Sequence, residues 1–183
     1  MLAAVWPACV GALAVLYASV GNGAWARRSA IAWMMGAWGA RLTVQSLYTR
    51  VAGLPLLTSY FEFPPSAMVF SLPALIAVRN PAPSLSSLEI VAAVFWIVAF
   101  AGQTTADRQL LRFTAASEHA GLICRSGVWR LIPRAHAVFE ALIWMAFALF
   151  AFASPWGWIA CACPAAMLYV QCIRQSGRLE RHA

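Results

Sequence analysis

Residues 88–113, LEIVAAVFWIVAFAGQTTADRQLLRF, decide the fold of this chain. The apolar part, Leu88 to Ala101, runs without a break into a polar continuation that ends at Phe113. It reads as a helix that crosses an apolar layer and protrudes from it as an amphipathic extension. The whole chain is of the same character. Of its 183 residues 62% are hydrophobic and only 10% charged, and the mean hydropathy is +0.72. That leaves too little polar surface to cover a water-soluble globule, so lipid must cover most of it.

Working outward, five more apolar runs flank this helix. A span needs about 20 mainly apolar residues to cross a hydrocarbon core of about 30 Å. By that measure the expected spans are residues 2–20, 29–48, 61–78, 88–106, 137–153 and 156–173. The fold class is therefore all-α, a polytopic integral membrane helical bundle of about six transmembrane helices in one domain. The first run lacks a basic leader and a clear cleavage site and reads as a retained span. The turn Gly21-Asn22-Gly23 closes it, and Arg27 and Arg28 precede the second, whose single charge, Arg41, sits late enough to snorkel toward an interface. The third is short and interrupted by Pro64, Pro65 and Pro73, which predicts a kinked or partly re-entrant helix. Residues 80–87 form a Pro/Ser loop.

The net charge of +7 comes from arginine alone. The arginines lie between apolar runs and near their ends, which speaks of membrane topology and against nucleic-acid binding. With six spans and the N-terminus inside, the 107–136 loop and the C-terminal tail are cytoplasmic and hold most of the arginines. The five cysteines, Cys9, Cys124, Cys161, Cys163 and Cys172, show no metal-ligand spacing, and no metal is expected.

Charged groups in or near apolar runs are the candidates for chemistry, because each is costly to bury. Gln103 and Asp107 share one face of the fourth helix, with Thr104, Arg108 and Arg112 on a neighbouring face. Arg108, Arg112, Arg125, Arg130 and Arg134 surround one loop, where guanidinium forks suit either a nucleotide phosphate or lipid headgroups. Glu140 lies four residues after His136, so the two could meet on one helical face to position a ligand or relay a proton, or stand as interfacial charges. Glu62 is an acid at a membrane edge. No phosphate-binding glycine loop and no catalytic triad order is present.

The segments Thr105-Ala-Asp-Arg-Gln-Leu-Leu-Arg-Phe113, Ser126-Gly-Val-Trp-Arg130 and Glu140-Ala-Leu-Ile-Trp144 resemble, in order and spacing, the bacterial branch of the steroid 5-alpha-reductase-like membrane proteins. The resemblance covers the second half of the chain, and Trp33 to Leu47 more loosely. It implies a bundle in a bacterial inner membrane, with both termini cytoplasmic, that binds NADPH and passes hydride to a conjugated double bond of a lipophilic steroid, isoprenoid or fatty enone. Related membrane methyltransferases hold S-adenosylmethionine in a similar site. Carried over, Asp107, Gln109, Arg112, Arg130 and Glu140 match the cofactor-side positions, and His136 stands where the family has a cofactor-contacting asparagine. Glu62 is the candidate catalytic acid. The departures lie in Leu131-Ile-Pro-Arg-Ala-His-Ala-Val-Phe-Glu140, which replaces a Tyr-Ser-Arg-His-Pro-Asn-Tyr-x-Gly-Glu segment and keeps only the glutamate in register. The ends are also shorter than is usual in that family. A non-catalytic member that binds lipid or a partner helix is the alternative implied by these departures.

Overall fold

Apolar runs of this length form helices because the backbone must satisfy its own hydrogen bonds wherever water is excluded. The computed structural model describes residues 2–52, 66–116, 122 and 124–169. Helices make up 81% of these, and no strand occurs among them. The elements are α1 (Leu2–Val20), α2 (Trp25–Val51), α3 (Ser66–Phe70), α4 (Leu72–Ala77), α5 (Ser87–Ala115), α6 (Val128–Leu131) and α7 (Ala135–Phe152). A 3₁₀ turn, Gly157–Cys161, opens an apolar helical segment that runs to Tyr169. Two helices, α5 and α7, are long and apolar enough to cross a membrane. The first part of the expected third span and the last part of the sixth lie outside the described residues, as do Glu62, Glu118, His119 and Cys172.

The third apolar run is two short helices rather than one. Ser71 separates α3 from α4, and Pro73 sits in the first turn of α4, where a missing N–H costs little. The carbonyl of Val69 accepts instead from the Cys163 thiol at 3.3 Å. This gives a buried cysteine a structural use.

Small residues set the α1–α2 contact. A Cβ on Gly39 would lie 2.5 Å from the Pro7 carbonyl oxygen and 3.3 Å from the Cα of Gly11, so the two backbones approach as only glycine permits. Above this contact, four helices each contribute one ring to an aromatic core. Trp6 of α1 packs edge-on to Trp38 of α2 (5.6 Å between centroids) and to Phe70 of α3 (5.4 Å), and Trp144 of α7 packs edge-on to Trp38 (5.0 Å) and Phe70 (4.6 Å). Edge-to-face geometry places positive ring edges on negative ring faces and adds about 0.5–1.5 kcal/mol per pair beyond burial.

Element directions follow from the contacts at one end. The Gly23 amide donates to the Val78 carbonyl at 2.8 Å, joining the end of α1 to the end of α4. Asn80 Nδ2 donates to the carbonyl of Ala153, after the end of α7, at 3.1 Å. Arg27, at the start of α2, is fully buried and paired with Glu89, at the start of α5. Thus α2 and α5 run the same way, and α1, α4 and α7 run opposite to them.

The Arg27–Glu89 pair is completely hydrogen-bonded. Nε and Nη2 of Arg27 donate to the two carboxylate oxygens, Nη1 donates to the Ala82 carbonyl at 2.7 Å, and Nη2 also reaches the Ser84 carbonyl. Glu89 at the same time closes a capping box with Ser86 at the start of α5. One ion pair therefore fixes the 80–86 loop, the α5 N-terminus and the α2 N-terminus together. Glu89→Ala is predicted to destabilise the protein by roughly 3–5 kcal/mol in reversible unfolding from detergent, because it strands a buried guanidinium. The double variant Arg27→Met/Glu89→Leu should lose much less. Equal losses in the two would contradict the pairing.

Candidate functional site

The second charged cluster lies toward the opposite end of the bundle, where α2, α5 and α7 meet. Fourteen residues along α2 from Arg27, about 21 Å at 1.5 Å per residue, Arg41 reaches into the space between α5 and α7. Its Nη1 donates to Asp107 Oδ2 at 2.5 Å, and Nη2 lies 3.7 Å from Glu140 Oε2. The guanidinium also stands over the Phe100 ring, 5.5 Å from its centroid. Arg41 does not snorkel to an interface as its position suggests. The two carboxylates pull it inward, and its side chain is only 12% exposed.

Glu140 is the most heavily bonded group of the site. Oε1 accepts from the indole N–H groups of Trp38 (3.0 Å) and Trp144 (3.2 Å), and Oε2 accepts from the Gln103 side-chain amide. Four helical positions on three helices thus converge on one buried carboxylate. Gln103 and Asp107 occupy the same buried face of α5, as their spacing predicts. Arg108 and Arg112, on the neighbouring face, are exposed.

The polar loop folds back onto the last turns of α5. Gln109 Oε1 accepts from the Val128 amide at 3.0 Å, and Trp129 Nε1 donates to the Ala106 carbonyl at 2.9 Å. Gly127 takes φ +56° against the Gln109 side chain, where a Cβ would come within 2.5 Å of Gln109 Nε2, so this turn requires glycine. The Trp129 ring lies against His136, with centroids 5.4 Å apart and planes 30° from parallel. Arg134, following Pro133, adopts the left-handed conformation (φ 57°) as α7 begins.

The structure therefore brings Asp107, Gln109, His136 and Glu140 to one end of the α5–α7 pair. Arg130 is exposed on α6 within that folded-back loop, and Arg112 is exposed one turn beyond Gln109 on α5. Glu62 lies outside the described residues. Sequence reasoning missed Arg41 as a member of the cluster, together with Trp38 and Trp144. The available signal was the cost of a lone charge in an apolar run, which demands an acidic partner. Buried atoms of the site without a hydrogen-bond partner include Nε and Nη2 of Arg41, Nε2 of Gln45 one turn further along α2, and Oε1 of Gln103. Unmet donors and an unmet acceptor at one place are the complement of a polar ligand group or of ordered water.

What the fold and the cluster define is an α-helical bundle with a buried polar node at one end of two membrane-length helices. The family pattern described as a protein of unknown function, DUF1295, matches residues 65–183, and the chain belongs to that family, which is generally steroid 5-alpha-reductase-like. Neither a curated protein nor a solved structure matches the chain. The matched region includes α5, the folded-back loop and α7, and so holds Asp107 and Glu140; Arg41 lies before it.

If Gln109 holds the loop as described, Gln109→Leu should speed hydrogen exchange at Val128 and Trp129 by about tenfold or more while leaving α7 protected. This corresponds to losing one partly buried hydrogen bond of about 1.5 kcal/mol. Unchanged exchange in the 126–131 turn would contradict that role.

Proposed function

We propose that this chain is a polytopic membrane protein of about six spans that binds NADPH at the end of the bundle formed by α5, α6 and the start of α7. There it reduces a conjugated double bond in a lipophilic steroid, isoprenoid or fatty enone. The observation that carries the reading is the convergence of Asp107, Gln109, His136 and Glu140 beside a loop that presents Arg130, with Arg112 on the adjoining turn of α5. The membrane placement is supported by the outer face of α5, where Ile90, Val91, Val94, Ile97 and Val98 are each more than half exposed. Both chain ends and the 107–136 loop face the cytoplasm of a bacterial cell in this reading, since the arginine-rich loop and tail then lie inside.

The residues present suit the cofactor chemically. Arg112 and Arg130 are exposed guanidiniums able to hold phosphate groups by paired hydrogen bonds. The unmet Arg41, Gln45 and Gln103 atoms offer donors and an acceptor to a neutral polar group deeper in the bundle. Bound NADPH would supply the hydride. The chain's own contribution is to bind, to orient through the rigid Glu140 node, and to keep water out behind the Trp38 and Trp144 rings. Glu62 is the proposed proton donor.

A second reading rests on a specific observation. Arg41 already engages both Asp107 and Glu140, so the motif carboxylates are held within the protein, as a purely structural node would require. Together with the rewritten Leu131–Phe139 segment, this favours a non-catalytic membrane protein that binds lipid or a partner helix.

Fluorescence titration of the detergent-purified protein with NADPH separates the two. The reductase reading predicts saturable binding that weakens by about tenfold or more in Arg112→Ala and in Asp107→Ala, with S-adenosylmethionine failing to compete. A folded protein that binds no NADPH would leave the non-catalytic reading in place. Displacement by S-adenosylmethionine would move the assignment to a methyltransferase.

A further inference from the structure

The opposite end of the bundle carries a second feature that the proposed chemistry does not use. A cavity of about 290 Å³ opens between the end of α1 and the end of α4, with Tyr17, Val20, Asn22, Leu75 and Arg79 among its lining residues. Its floor is rigid. The Gly21-Asn22-Gly23 turn is held by the Gly23–Val78 hydrogen bond, and a Cβ on Gly21 would lie 2.7 Å from Val78 Cβ, so the turn sits directly on the end of α4.

The charge at this end is unbalanced. Arg27, Arg28 and Arg79 lie here, and the one carboxylate nearby among the described residues, Glu89, is fully engaged by Arg27. Arg28 donates from Nη1 to the Gly21 carbonyl, which lines the cavity, while its buried Nε has no hydrogen-bond partner. Arg79 projects exposed at the mouth. Among the described residues neither has an ion-pair partner. Arg79 in the cavity lining, with Arg28 bonded to the Gly21 carbonyl behind it, creates a positive potential that an anion would neutralise.

The walls are divided in a way that fits an amphiphile. Tyr17, Asn22 and Arg79 are polar, whereas Val20 and Leu75 continue the apolar surfaces of α1 and α4. Trp25, Trp156 and Trp158, each more than 60% exposed, stand at the same end. In the membrane placement proposed above they form an interfacial belt. The cavity then lies at headgroup depth on the face away from the cytoplasm.

We infer that this cavity is a binding site for a phosphate-bearing anionic group, occupied by the headgroup of an anionic phospholipid. The phosphate sits against Arg79 with Tyr17 and Asn22, Arg28 lies behind the Gly21 turn, and an acyl chain follows Val20 and Leu75. The site is independent of the NADPH reading and survives its failure.

Native mass spectrometry of the delipidated full-length protein, titrated with dioleoyl phosphatidylglycerol and with dioleoyl phosphatidylcholine, tests it. Saturable binding of phosphatidylglycerol about fivefold tighter than phosphatidylcholine is expected, on the scale of one arginine at a charged membrane surface. Arg79→Gln should abolish that preference, Arg79→Lys should keep most of it, and Arg50→Gln, an exposed arginine at the far end of α2, should leave it unchanged. Displacement of the lipid by soluble glycerol phosphate would support the phosphate site and assign its source to the aqueous phase. Equal binding of the two lipids, or a preference that persists in Arg79→Gln, would overturn the proposal.

Discussion

A guanidinium midway along a helix at hydrocarbon depth finds its negative charge within the protein, because acyl chains offer none. Arg41 meets this constraint by reaching from α2 to carboxylates on two other helices. The consequence extends beyond the ion pairs. Glu140, once fixed by Arg41 and Gln103, becomes the acceptor for the indole N–H groups of Trp38 and Trp144, the same rings that pack against Trp6 and Phe70. The polar node and the aromatic core are therefore one connected unit. Neither can shift without leaving buried donors unmet, which costs about 1–3 kcal/mol per group.

The Arg27–Glu89 pair performs a comparable task at the other end, with a different outcome. There the guanidinium is saturated by the carboxylate and by carbonyls of the 80–86 loop. At Arg41, Nε and Nη2 have no hydrogen bond, Nη2 standing only in ion-pair range of Glu140 at 3.7 Å, and Gln45 Nε2 and Gln103 Oε1 have none either. A saturated pair is a structural staple, whereas an unsaturated one retains capacity for a ligand. This contrast is the physical reason why the proposed nucleotide site is assigned to the α5–α7 end.

Much of this architecture was legible in the sequence. Apolarity and length gave a helix over 88–113 with its polar continuation, and the structure has Ser87–Ala115. Periodicity put Gln103 and Asp107 on one face and Arg108 on another, as found. Periodicity names a face but not what stands opposite, so the partners of Arg41 across α5 and α7 could not be read. His136 and Glu140 share a face of α7, yet His136 stacks on Trp129 while Glu140 turns to Trp38, Trp144 and Gln103. The break at Ser71 was foreshadowed by Pro73. That the Cys163 thiol would serve the Val69 carbonyl depends on a contact between residues 94 apart, which no local pattern encodes.

Arg41 couples α2 energetically to both Asp107 and Glu140. Double-mutant cycles on Arg41→Met with Asp107→Asn and with Glu140→Gln, read as unfolding free energies of the detergent-solubilised protein, measure this directly. Coupling of roughly 1–3 kcal/mol is expected in each cycle, larger with Asp107 at its shorter distance. Coupling below about 0.3 kcal/mol in both cycles would contradict it, since independent sites behave that way.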